Sequence, residues 1–169
     1  MKNLSLAIVS LLLICSIKSI AQDAKVESGL MYYLTKYVEW PANKHSSDFI
    51  ISIVGNSSIE TFLESLASSK MVGTRKIVIN KVNEPQEAKN SHIIFFPKKK
   101  IGNISAATGL AKSNNILIVS EGSGMVKKGA GVSFTEKNGK TGFEISPSVI
   151  KSCGLKVSSK LLDLGTVIN

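Results

Sequence analysis

The chain has 169 residues, 21 Lys and Arg against 12 Asp and Glu, a net charge of +9, and 43% hydrophobic residues. That is enough length and apolar content for a domain with its own core. With two cysteines in all, a scaffold built on disulfides is excluded.

Met1 to Ala21 reads as a secretory signal. Lys2 supplies a positive start, "LSLAIVSLLLIC" a short apolar run, and "SIA" ending at Ala21 a small-residue cleavage site. The run is too short to span a bilayer. A lipoprotein signal centred on Cys15 is the weaker reading, because bulky Ile14 precedes it. Cleavage after Ala21 leaves residues 22–169, read as one α/β domain, and lowers the net charge to +7 as Lys2 and Lys18 depart. Cys153 is then the sole cysteine, which excludes an intramolecular disulfide and suits a small buried residue better than a nucleophile. Export without disulfides points to a bacterial periplasm, and that address excludes nucleic acid as the partner of the basic clusters "TRK" (74–76) and "PKKK" (97–100).

Beyond the signal, Val26, Leu30, Tyr33, Leu34 and Tyr37 recur at helical spacing and predict a helix with this stripe buried. Pro41 disfavours helical geometry at Trp40, so the helix should end near Val38 or Glu39. "FIISIV" (49–54) reads as a buried strand. A helix carrying Ile59, Phe62, Leu63 and Leu66 follows, with Ser57 or Ser58 as its cap. "KIVINKV" (76–82), "HIIFF" (92–96) and "ILIVS" (116–120) are further strands, the last two separated by a helix from about Gly102 to Lys112. Strands alternating with helices imply a mostly parallel sheet flanked by helices on both faces. "GVSFTEKNGKTGFEIS" then carries an Asn138-Gly139 turn between alternating runs, which predicts an antiparallel hairpin. Its register sets Lys137 opposite Lys140, Phe134 opposite Phe143 and Val132 opposite Ile145. Ser146, Pro147 and Gly154 bound a short helix. The last segment offers Ser158 or Ser159 as a cap and Leu161, Leu162 and Leu164 as a buried stripe.

Residues capable of chemistry are sparse. "VGNSSIE" sits where phosphates often bind but lacks both glycine-rich phosphate motifs, and "SEGSGM" (120–125) lacks the nucleophile-elbow order. His45 and His92 stand alone, without the pairing that a zinc site requires, and the acidic residues show no close pair suited to general acid–base work, with Glu39, Glu144 and Asp163 each isolated. These patterns give no catalytic residue, no metal site and no cofactor, so the expectation is a protein that is not an enzyme. In an open α/β sheet a ligand pocket would lie at the strand ends, near Gly55, Pro97 and Ser120.

"LMYYLTKYVEWP" and "GFEISPSVIKSCGLKVSSKLLDLG" resemble the opening and the C-terminal signature of the YfiR-like periplasmic proteins. The stretches between them agree in outline. The resemblance implies an exported, non-enzymatic α/β protein that binds the periplasmic domain of an inner-membrane signalling protein. In the best-known members the partner is a diguanylate cyclase held inactive, whose release raises cyclic-di-GMP and favours biofilm growth. Membrane histidine kinases also occur beside such proteins, so the alternative is a small-ligand sensor read by a kinase. A homodimer remains open. Ser91 stands where the family often carries a cysteine and Ser146 where it prefers Asn, so redox control by a disulfide within this chain is not implied. Contact anchors are expected among Tyr33, Tyr37 and Trp40, with Lys156 and Lys160 as a basic rim. Packing the first helix against "LKVSSKLL" suits Trp40 better than contact does, because large aromatics contribute most by burial, and its burial separates these roles.

Overall fold

The computed structural model describes residues 21–44, 48–137 and 139–169. Most of the expected signal, including Cys15, and also His45 and Asn138, lie outside these described residues. Among them, no helix is long and apolar enough to cross a membrane.

The first helix, α1, occupies residues 21–37 and passes directly into β1 (Val38–Glu39). Its buried face is the expected one only in part: Leu34 is buried and Leu30 and Tyr37 pack partly against the core. Ala24, Ser28, Met31, Leu34, Thr35 and Val38 face the core, whereas Val26 is 37% and Tyr33 50% exposed. Two hydroxyls make this possible: Ser28 Oγ donates to the Lys25 carbonyl at 2.8 Å and Thr35 Oγ1 to that of Tyr32 at 2.8 Å. Each is satisfied within its own helix and can therefore be buried at little cost.

The parallel part of the sheet consists of β2 (Phe49–Val54), β4 (Arg75–Val82), β5 (Ile93–Phe96), β6 (Leu117–Glu121) and β7 (Val132–Lys137). It is extended by β3 (Met71–Val72), β8 (Lys140–Ile145) and β10 (Thr166–Val167) into eight strands in the order β10-β8-β7-β6-β5-β2-β4-β3. The pairs β3–β4 and β7–β8 are antiparallel; the rest are parallel. Every residue of β5 is buried, as expected for a central strand covered on both faces. The hairpin register is the predicted one, with Lys137 opposite Lys140, Phe134 opposite Phe143 and Val132 opposite Ile145.

The helices α2 (Glu60–Ala67), α3 (Ile104–Asn114), α4 (Pro147–Ser152) and α5 (Ser159–Leu164) lie where periodicity placed them, within a few residues. Their caps differ. Ile59, not Ser57 or Ser58, holds the N-cap position of α2, and Ser57 Oγ only accepts the Ile59 N–H at 3.4 Å. Ser146 and Ser158 occupy N-cap positions without making capping bonds. In α5 Leu161 is buried and Leu162 packs partly against the core, whereas Leu164, at the end of the helix, is 64% exposed. Four short strands escaped the sequence reading: β1, β3, β10 and β9 (Lys156–Val157). Of these, β9 pairs antiparallel with β1, setting Val38 opposite Val157 and Glu39 opposite Lys156. This two-residue ribbon joins the end of α1 to the C-terminal segment.

Candidate functional site

Trp40 follows β1 and turns inward, where 4% of it remains exposed. Its indole Nε1–H donates to the carbonyl of His92 at 3.2 Å, and its ring meets Phe49 edge-on with centroids 5.0 Å apart. The His92 ring stacks on Phe49 at 4.4 Å. His92 Nδ1 accepts the Ile50 N–H at 3.1 Å, which leaves the ring proton on Nε2 to be donated to the Lys44 carbonyl at 2.8 Å. Both ring nitrogens are thereby committed to backbone groups, and the histidine is a structural one. Arg75 lies over Phe49, with its guanidinium carbon 5.1 Å from the ring centroid, and Nη1 donates to the same Lys44 carbonyl at 3.0 Å. Burial lowers the Arg75 pKa below its ordinary value and does the same for Lys44.

Outside this aromatic cluster opens a cleft of about 540 Å³, lined by Tyr37, Glu39, Trp40, Arg75, Lys156 and Ser158 among others. Lys36 also borders it, so three cations face one carboxylate. That carboxylate, Glu39, lies 3.9 Å from Lys156, and both side chains are largely exposed, so the pair contributes little. Ser158 Oγ is shielded from solvent and is the one such side-chain oxygen among the described residues without a hydrogen-bond partner. Its backbone N–H donates to the Tyr37 carbonyl at 2.9 Å, which ties the start of α5 to the end of α1.

Of the expected contact residues, Tyr37, Trp40 and Lys156 come together at this cleft. Tyr33 does not line it but stacks on Tyr37, with centroids 6.1 Å apart and planes within 6°, continuing the aromatic surface along α1. Lys160 is exposed on α5 and does not line the cleft. Trp40 supplies the cleft's inner wall rather than a projecting anchor.

A second cleft, about 620 Å³, lies at the carboxyl ends of the strands and is lined by Asp23, Glu27, Lys98, Glu121, Glu136 and Thr141 among others. Desolvation, then the charges of Glu121 and Asp23, raises the Glu27 pKa to about 8. Glu121 is raised too, chiefly by burial, and its carboxylate accepts the Lys98 N–H at 2.8 Å. None of the three residues expected here lines the opening: Pro97 and Ser120 sit one position short of it, and Gly55 three positions short of Ser58. Ser120 is wholly buried and shares a 3.0 Å hydrogen bond with Ser133 on the neighbouring strand. Pro97 is buried beneath the turn that begins at Lys98, and Gly55 lies against the Lys100 side chain.

Sequence reasoning missed Arg75, Ser158 and the Asp23–Glu27–Glu121 group. Arg75 stood in the basic cluster at 74–76, to which the sequence assigned no site, and the three acids lie on two elements far apart in the chain. Among the described residues no group of three or more His, Cys, Asp or Glu side chains could hold a metal ion. Cys153 is buried, and burial pushes its thiol pKa up, which disfavours the nucleophilic thiolate.

A family model described as YfiR/HmsC-like matches residues 24–166. No curated protein matches the sequence. Among solved structures, the chain is similar to a conserved domain protein from Vibrio cholerae O1 biovar eltor, with a TM-score of 0.53 and 11% identity over 74% of this chain and 56% of that one. It is also similar to an ABC domain in complex with L-Trp from Streptococcus pneumonia, with a TM-score of 0.53 and 12% identity over 80% of this chain and 58% of that one. The chain thus spans less than two thirds of either structure, and at these identities the likeness concerns the α/β fold alone.

Proposed function

The chain belongs to the YfiR/HmsC-like family, and on that premise we propose that it is an exported regulatory protein that represses a membrane-embedded diguanylate cyclase by contact with the cyclase's periplasmic domain. The observation that carries this reading is the family match over residues 24–166, which includes both the Trp40 region and the C-terminal segment. The cleft where those two segments meet adds support, because it brings together Tyr37, Trp40 and Arg75, residue types enriched at protein contacts. In this reading Tyr33, Tyr37, Lys156 and Lys160 meet the partner, Trp40 shapes the wall beneath them, and the protein performs no catalytic step.

Deletion of the gene should raise cellular cyclic-di-GMP, and an affinity-tagged copy should retain one inner-membrane protein bearing a cyclase domain. Unchanged cyclic-di-GMP together with no retained membrane protein overturns the reading. A second reading, a small-ligand sensor for a membrane histidine kinase, draws on the acidic cleft at the strand ends. A small molecule retained through purification, with a kinase as the retained membrane protein, would favour it.

A further inference from the structure

The charged groups that line the cleft beside Trp40 are three cations, Lys36, Arg75 and Lys156, and one carboxylate, Glu39. Arg75 is fixed by the Phe49 ring and the Lys44 carbonyl. Those contacts use one face and one nitrogen of a group with five N–H donors. Only two ion pairs form among the described residues, Lys81–Glu60 and Lys156–Glu39, so Arg75 meets no carboxylate of its own chain there. Ser158 Oγ, shielded and unpartnered, lines the same cleft. Leaving such an oxygen unsatisfied is unfavourable, and a rotamer that turns it into the cleft would let it donate to a bound acceptor. Lys36 and Lys156 stand at the margin, and the weak Glu39–Lys156 pair can open without loss.

We propose that this cleft is a carboxylate-binding site that grips an acidic side chain on an extended segment of the partner protein, with Arg75 and Ser158 as the donors and Lys156 as the steering cation. The inference rests on the reading that the chain acts by contact, and it names the chemistry of the partner at that contact. The stacked Tyr33 and Tyr37 rings continue from the cleft along α1 and give the residues that flank the acidic one an apolar bed. That bed favours a peptide segment over a free small carboxylate, which would leave it uncovered. A guanidinium already immobilised on an aromatic ring loses little freedom on binding, and its planar fork suits a carboxylate.

The test titrates the purified mature chain with a capped pentapeptide, Leu-Glu-Leu-Glu-Leu, and with its Gln-for-Glu counterpart, following the Trp40 indole and the Arg75 side-chain N–H signals by NMR. The acidic peptide should shift both signals saturably and less at high salt, and the Gln peptide should bind about tenfold or more weakly. Lys156→Glu and Ser158→Ala alter exposed or uncommitted groups and should weaken the acidic peptide while leaving the rest of the spectrum unchanged. Arg75→Gln should abolish binding in a chain that still shows the buried Trp40 signal. Equal binding of the two peptides overturns the proposal, as does an absence of saturable shifts. Saturable binding of glutarate alone, equal to that of the acidic peptide, also overturns it by making the site one for a free small acid. Any of these results leaves the deletion experiment free to support the regulatory role, so the two readings can fail separately.

Discussion

The carbonyl oxygen of His92 accepts two N–H groups: the indole of Trp40 at 3.2 Å and the backbone of Leu117 at 2.9 Å. One atom at the start of β5 therefore fastens both the next strand of the sheet and the aromatic side chain that follows α1. Trp40→Phe removes one of the two donors but leaves the carbonyl paired, and should cost about 1–3 kcal/mol of unfolding free energy. Trp40→Ala removes the contact with Phe49 as well and should cost about 3–5 kcal/mol. Urea unfolding followed by circular dichroism measures both.

Glu27 gives the protein a definite pH dependence. Its pKa is raised from 4.5 to about 8 by burial and by the neighbouring charges of Glu121 and Asp23. Between those values the folded chain holds a proton that the unfolded chain has released, so stability must fall as pH rises through this window and level off above about 8. Lys98 and Glu136 border the same cleft, and the upward shift of Glu121 acts in the same direction. Unfolding free energies at pH 5, 6.5 and 8 should decline in that order. Glu27→Gln should flatten the decline and make the protein more stable than the parent at the top of the range. A parent stability that rises across the window contradicts this account.

The Ser120–Ser133 pair yields a double-mutant cycle. Both hydroxyls are wholly buried, and each satisfies the other at 3.0 Å. Either Ser→Ala change leaves one buried hydroxyl orphaned and should cost about 1–3 kcal/mol, whereas the double Ala variant should cost much less than the sum. Additive costs would show that the two oxygens do not depend on each other.

Gly131 has no room for a side chain. A Cβ there would lie 2.7 Å from Leu117 Cδ1 and 2.9 Å from Ile150 Cγ1, and its backbone bonds to both Ile118 and Ser146 hold it in place. Gly131→Ala should therefore destabilise by about 1–3 kcal/mol through overpacking. In a domain of this size that lowers Tm by roughly 3–10 °C, as a thermal melt would show.

The hairpin was legible because two independent signals, the turn residues and the alternation, demanded the same register. The central strands were legible as short β-branched runs. The orientation of α1 was legible only in part: Leu34 is buried as expected, but Val26 and Tyr33 are exposed, and the reason is specific. The helix carries two apolar stripes, and the one rich in tyrosine looks the more hydrophobic by composition. The stripe that is buried contains Ser28 and Thr35, whose hydroxyls bond to their own helix and so enter the core without penalty. The candidate site was half legible. Tyr37, Trp40 and Lys156 could be singled out, but Arg75 joins them only through its seat on Phe49, a contact between residues on adjacent strands that no local pattern encodes.

The two-residue ribbon of Val38–Glu39 with Lys156–Val157 has a consequence for how the molecule assembles. Its halves lie nearly a domain's length apart in the chain, so closing it carries a large loop entropy. Closure of the ribbon should therefore follow the organisation of the sheet. Trimming either terminus as far as this ribbon would release the other, and a proteolytic cut at one end should be followed by fraying at the opposite one.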